Sequence, residues 1–457
     1  MGTIYIDSGG VANQGSGTTD ETTAPIVLTI NAGEAFGDTT LLVDVTSGTF
    51  TNIVTSGATQ SAIFFNNATN ANKKIFWISA IDNVASPKTI TVDTIPTGLT
   101  AGTSVGYVGG HYLVPANVGL SVIDSASTFR AGDVIIFNNS PATGTQDYIT
   151  CRASGTSAAG FVTVRGKAGT RPVITVSNTT QCIDNGGTFA DWFVSNLELV
   201  QQGASGVVAS DLGNGWKAYN IKISDGGSYG FYVSTSGASI IACEVSGLAS
   251  GAGILAIASV VTGNYIHDLT GGGCDFNMGN AFAVVTRNII DTCTGKGIHF
   301  SGGPTTQANV WFLDGNTVYG SGDSGLEITD ADGNLVLINN IFSENGNAAG
   351  EYNVEWFAGD AEKVSFHGWN VFFHSGDAGG SLLGLAVNAQ VASSEFTTDP
   401  GFTDAAGGNF AISSTSPAKA AGFPGQFLGG SLGYLDIGAV QRQEPSGGGG
   451  GQRVIGG

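Results

Sequence analysis

Glu327 and Glu355 hold the same place in two similar segments, GLEI (325–328) and NVEW (353–356). Four earlier segments fit the same template: GFYV (230–233), GILA (253–256), DFNM (275–278) and GIHF (297–300). As strands, they turn their second and fourth residues inward and their third outward. The outward column reads Tyr232, Leu255, Asn277, His299, Glu327, Glu355, and it becomes polar over its last four members. On neighbouring parallel strands the two glutamates lie about 5 Å apart. Carboxylates that close must share a proton or bind a cation. A shared proton suits acid/base glycoside hydrolysis, with Glu327, Glu355 and His299 as catalytic candidates. A Ca2+ bound between the two glutamates suits lyase chemistry. Outward residues of a repetitive β structure are commonly polar, so a solvated face explains the column equally well.

The elements that place this column are announced by asparagine. The pattern Asn followed by apolar residues appears at Asn196, Asn220, Asn264, Asn288, Asn316, Asn340 and Asn370, with Cys243 in the same place once. The steps are 24, 23, 21, 24, 28, 24 and 30 residues. A period of that size carried by strand-forming residues marks a solenoid with one coil per repeat. Stacked amides can hydrogen-bond along the axis, and asparagine tolerates the left-handed backbone of a tight corner. The expectation is an all-β parallel β-helix with these seven asparagines as a structural ladder.

Other residues carry weaker signals. Trp311 and Trp356 are candidate sugar-stacking platforms. Asp330-Ala-Asp332-Gly-Asn334 has the acidic spacing of a calcium turn without the downstream glutamate of an EF-hand. His267-Asp268, Asp275, His367 and His374 sit in turns or beside the ladder, where spacer roles are the commoner outcome. Arg287, Lys296 and Lys363 are the nearby cations. The five cysteines show no CxxC pair and read as small core fillers. Phosphate-loop, nucleophile-elbow and zinc-ligand spacings are absent from the sequence.

Composition bounds the partners. Only 11% of residues are charged, 41% are hydrophobic, and the formal net charge is −20. That balance excludes disorder and disfavours nucleic acid or an anionic membrane as partner. Residues 1–115 show alternating strands without the asparagine period and read as a small antiparallel β-domain suited to docking. The β-helix is expected over 116–400, a C-terminal cap over 401–441, and a Gly-rich tail over 442–457.

The segments AGDVIIF (131–137) and FVTVRGKAGTRPVITV (161–176) resemble the opening coils of right-handed parallel β-helix proteins of the pectate-lyase-like superfamily. The segments DPGF (399–402), GGNFAISSTSPAKAAG (407–422) and LDIGAVQ (435–441) resemble the closing sequence of such proteins, chondroitinase-B-like lyases among them. The resemblance covers roughly 116–441. It implies a right-handed helix, and it likens the Asn277/Glu327/Glu355 set to the Ca2+ cluster of those lyases. The opening TIYIDSGG and the Gly-rich tail resemble β-helix proteins of tailed bacteriophages. Two functions follow as expectations. One is a virion or surface structural protein, a tail-spike, fibre or decoration component. It would contact glycans and other virion proteins, be trimeric, need no cofactor, and reside on particles or outside cells, as the lack of a visible export signal also implies. The other is a polysaccharide lyase or hydrolase. With only 16 Lys and Arg in the chain, too few to handle a polyuronate readily, the structural reading leads.

Overall fold

In the computed structural model, described residues are 3–7, 26–31, 39–57, 60–66, 75–92, 99, 101–109, 112–113, 131–140, 149–151, 154–177, 181–185, 189–203, 206–257, 259–277, 282–301, 310–329, 334–346, 352–356, 364–376, 382–383, 390–391, 395–423 and 436–441. They fall into two compact units, 1–222 and 223–457.

The first unit holds a closed antiparallel barrel. Its strands follow the order Ile26–Ile30, Thr40–Ser47, Lys88–Val92, Ile75–Asp82, Ala62–Asn66 and Val105–Val108. Alternation does the sorting: Leu41 and Val43 point in while Thr40 and Asp44 face out. Leu28, Ile30, Phe65, Ile78 and Ile90 complete the interior. Gly106 is required there, because a Cβ at that position would lie 2.5 Å from Cδ1 of Ile63. The same unit contains parallel coils, with Val134–Phe137, Val162–Gly166, Trp192–Ser195 and Lys217–Tyr219 in consecutive register. The strand Thr3–Asp7 is not a barrel strand. It pairs in parallel with Val134–Phe137 and with Tyr112–Leu113.

The second unit is a stack of coils, each contributing one strand to each of three parallel sheets. Sheet one runs from Ser239–Ile241 through Val260–Thr262, Ala283–Thr286, Val310–Asp314 and Asn334–Ile338 to Val364–Gly368. Sheet two runs from Glu244–Val245 through Tyr265–Leu269, Ile289–Cys293, Thr317–Tyr319 and Ile341–Ser343 to Val371–Phe373. Sheet three runs from Tyr229–Val233 through Ala252–Ala256, Gly272–Asn277, Ile298–Ser301 and Leu326–Ile328 to Val354–Trp356. The described residues contain strands and short 3-10 turns and no α-helix. None of them forms a helix long and apolar enough to cross a membrane.

The asparagine ladder fills the corner between sheets one and two. Asn264, Asn288, Asn316 and Asn340 each donate through Nδ2 to Oδ1 of the next asparagine, at 2.8–3.1 Å. Each also donates its own backbone N–H to that oxygen, at 2.9–3.0 Å. Asn370 ends the series by donating to Oε1 of Glu395. Cys243 joins the ladder through its backbone N–H, which donates to Oδ1 of Asn264. The left-handed residue here is the one before each rung: Ala242, Gly263, Arg287, Gly315, Asn339 and Trp369. Asn196 and Asn220, in the first unit, are themselves left-handed. Asn220 donates to Asn196 at 2.7 Å, and the next residues, Leu197 and Ile221, are buried. A second, shorter amide pair joins Asn345 to Asn353 at 3.0 Å.

Two other features position the outward column. Gly230, Gly253, Gly273, Gly297 and Gly325 open the strands of sheet three, where a Cβ would lie 2.3–2.8 Å from Val245, Ile266, Ile290, Val318 and Asn345 respectively. Glycine lets sheet three approach sheet two at that corner. Inside, Phe276, Phe300 and Trp311 stack at 5.0 and 4.7 Å. The five cysteines are buried free thiols, three of them (Cys243, Cys274, Cys293) in this unit. The C-terminal hairpin, Phe402–Asp404 with Asn409–Ile412, lies along the flank of sheet two. There Phe402 and Phe410 pack on Tyr319, and Ile412 joins Ile341 and Val371. The Gly-rich segment 442–457 lies outside the described residues.

Candidate functional site

Register on sheet three fixes the column. Tyr232 pairs with Leu255, Leu255 with Asp275, Asp275 with His299, His299 with Glu327, and Glu327 with Glu355. Five of the six expected members are therefore in place. The sixth is Asp275, not Asn277, which pairs with Ser301 one position-pair further along the strand. A slip of two residues preserves the face each side chain takes, so alternation alone could not separate the registers. The position of Gly273 in the glycine series does.

The polar members form one connected group. Asp275 accepts from Ser301 Oγ at 3.2 Å and lies 3.1 Å from Nδ1 of His299. His299 Nε2 lies 3.5 Å from Oε1 of Glu327. That same oxygen is 2.6 Å from Nζ of Lys296. Glu355 accepts from Oγ of Ser324 at 2.6 Å, and Asp323 accepts from the backbone N–H of Ser324 at 2.8 Å. Glu327 and Glu355 are buried, at 4% and 2% exposure, and so is Ser324. The side chains of Asp275, Lys296 and His299 are partly exposed and give the group its solvent-facing edge.

The two glutamates sit in different environments. Burial raises the Glu355 carboxyl above the usual range, and the charges of Glu327 and Asp323 add to the rise. The Ser324 hydrogen bond and the Lys296 charge oppose it. Glu327 instead holds an ion pair with Lys296. Burial would lower the Lys296 ammonium, but the hydrogen bond and charge of Glu327, with Asp323 and Asp275, outweigh burial and raise it. Lys296 is thus a fixed cation rather than a neutral base. A carboxyl pushed up by burial beside one ion-paired to a lysine is the kind of contrast that divided acid/base roles use.

Asp323, Glu327 and Glu355 each bring a ligand oxygen within 4.8 Å of the others. Oxygens that close could share a cation such as Ca2+, whose bonds to oxygen are ~2.4 Å, with Asp323 standing where Asn277 was expected. Bound there, the ion would neutralise the carboxylates and polarise a substrate carboxylate. Lys296 already places positive charge on Glu327, at 2.6 Å.

The remaining candidates separate from this group. Trp311 is 1% exposed and belongs to the internal aromatic stack, so it is no sugar platform. Trp356 pairs in register with Ile328, and its side chain lies outside the described residues, as does the turn 330–333. His367 is buried against Glu395 at 2.6 Å, beside the ladder end. His267 stacks on Tyr265 and contacts Asp268 on sheet two. His374 bonds the backbone of Gly376. Asp323 and Ser324 were not singled out from sequence; the signal available was their place just before Gly325, at the corner that aims side chains onto the outer face.

A family model agrees with the fold. Residues 205–356 match the family model "Right handed beta helix region". No curated protein matches the chain. Among solved structures, the crystal structure of pectate lyase Pel9A is similar at 13% identity and a TM-score of 0.36, covering 70% of this chain and 90% of that one. The chain is an all-β protein built on a right-handed parallel β-helix, with a small antiparallel β region near its N-terminus.

Proposed function

We propose that this chain is a surface-borne protein that engages an extracellular polysaccharide on sheet three and hydrolyses it by acid/base catalysis. The observation that carries this reading is the stacked pair Glu327 and Glu355, adjacent in register and held in contrasting environments. Glu355, raised by burial, donates a proton to the leaving oxygen. Glu327, paired with Lys296, attacks the anomeric carbon or activates water; ligand oxygens within 4.8 Å of each other favour the closer spacing of retaining enzymes. His299, linking Asp275 to Glu327, orients that carboxylate. β-Elimination is the weaker route, because a lysine whose ammonium is stabilised is a poor base at neutral pH.

The test is release of reducing ends from a panel of microbial polysaccharides. Glu327→Gln and Glu355→Gln should each lower the rate by roughly 10²–10⁴. Unsaturated non-reducing ends formed together with the new reducing ends would mark β-elimination and overturn hydrolysis.

The virion reading specifies where the protein is carried. It is supported by the closed barrel at residues 26–108, suited to docking, and by the low charge content. Mass spectrometry of density-purified particles decides it. A fixed ratio to the capsid protein is expected, with a few copies for a tail-spike and many for a decoration protein. Absence from particles would leave a free enzyme.

A further inference from the structure

The acidic group occupies only the later part of the sheet-three column. The earlier part is apolar and aromatic. Tyr232 and Leu255 are adjacent in register, both partly exposed on the outer face. Tyr229, at the start of the same strand, stacks on Tyr232 with ring centroids 6.3 Å apart and planes inclined at 29°. Next comes Asp275, and then His299. One face of the sheet thus passes from a tyrosine pair, over a leucine, to a row of carboxylates.

We infer that Tyr229, Tyr232 and Leu255 form a remote subsite for a polysaccharide without uronic acids, the chain lying along the sheet-three column toward Glu327 and Glu355. This rests on the proposed glycan-cleaving role of that column. Pyranose rings present an apolar C–H face that stacks on aromatic rings, while their hydroxyls reach polar groups at the edge. Tyr232 stands four register steps from Glu327, about 19 Å at ~4.8 Å per step. A ligand spanning both places must be an oligomer of several sugars.

The charge on the column selects the substrate class. Among the described residues of the column, Asp275, Asp323, Glu327 and Glu355 provide four carboxyl groups, against the ammonium of Lys296 and the imidazole of His299. A uronate carboxylate brought onto this face meets like charge. A neutral sugar meets acceptors for its hydroxyls, and an amino sugar meets charge complementarity. The column therefore discriminates by repulsion as well as attraction.

The experiment uses the full chain on an array of microbial polysaccharides, some neutral or amino-sugar-containing and some rich in uronic acids. Binding to the neutral or amino class is expected. Tyr232→Ala should weaken it up to about tenfold, since stacking on one aromatic contributes up to ~1.5 kcal/mol; the double change Tyr229→Ala/Tyr232→Ala should weaken it further, while Tyr232→Phe retains it. In the cleavage assay the tyrosine changes should raise KM for long chains and leave kcat unchanged. Unchanged thermal melting of Tyr232→Ala separates loss of the subsite from loss of fold. Preferential binding to uronic-acid polymers, no binding to any neutral or amino member, or tyrosine changes that leave affinity intact would overturn the inference. If wild type binds in this way but releases no reducing ends, the cleavage role fails and the subsite stands. If wild type cleaves and the tyrosine changes alter nothing, the subsite alone fails.

Discussion

Glu355 is the residue whose surroundings make the sharpest claim. Its folded-state carboxyl is raised, first by burial and then by Glu327 and Asp323. The native protein therefore holds this proton more tightly than the unfolded chain. The associated stability is present below the ordinary glutamate range and is lost as pH climbs through the raised value. Glu355→Gln keeps an acceptor for Ser324 and removes the charge. It should stabilise the protein at neutral pH, with the gain vanishing as pH falls toward 4.5, the ordinary glutamate value. Paired urea titrations across pH check this; a gain that grows on acidification would contradict it. The same proton should set the alkaline limb of the activity profile. Lys296→Met acts in the opposite sense, leaving the buried Glu327 carboxylate without its cation. Since Lys296 is 29% exposed, the loss should be about 1–3 kcal/mol, below the figure for a fully buried pair.

At the scale of the coil, the ladder is the element under most constraint. Asn316 is fully buried. It donates to Asn340 and to the carbonyl of Val285, and it accepts both the backbone and side-chain N–H of Asn288. Asn316→Ala would strand several buried groups at once, at about 1–3 kcal/mol apiece, for a total near 3–5 kcal/mol. Asn220→Ala, in a less buried pair with Asn196, should cost no more than about 1.5 kcal/mol. Equal losses in the two denaturation midpoints would refute the distinction. The ladder also shows how far the sequence could be read. Its rungs from Asn264 to Asn370 were legible because an amide that returns beside apolar pairs at the length of a coil has to stack on its own kind along the axis, whereas Asn196 and Asn220, also expected as rungs, take the left-handed corner instead. What escaped was the corner: from Asn264 onward the left-handed residue precedes the asparagine, and single-sequence spacing cannot tell which of two neighbours turns. The Asn277 assignment failed because a two-residue slip keeps every side chain on its face. Only the close approach of Gly273 to Ile290, a matter of packing between sheets, selects the register. Asp323 and Ser324 escaped the periodic reading because they belong to a corner, which carries no periodicity, and their place just before Gly325 was the signal left. Burial of Glu327 and Glu355 was equally beyond a strand pattern that assigned them simply to the outside.

For the whole molecule, the governing quantity is a net charge of −20 with charged residues at only 11%. Such a chain repels polyanions at long range, and the sheet-three carboxylates repeat that sign at short range. Recognition resting on tyrosine stacking and hydroxyl hydrogen bonds should hardly respond to ionic strength. Recognition of a polyuronate should strengthen with salt as repulsion is screened, the screening length falling from ~14 Å to ~4 Å between about 0.05 M and about 0.5 M salt. The dissociation constant for the best-binding neutral polysaccharide is therefore expected to change less than about twofold over that range. Calorimetric titration at the two salt concentrations measures it. A binding constant that improves severalfold with salt would mean that the ligand carries negative charge and that the column tolerates it only when screened. An improvement that instead requires added Ca2+ at constant ionic strength would assign the positive charge to an ion held by Asp323, Glu327 and Glu355. Salt and calcium thus separate three electrostatic designs that the carboxylate geometry alone permits, and the short supply of lysine and arginine favours the neutral one.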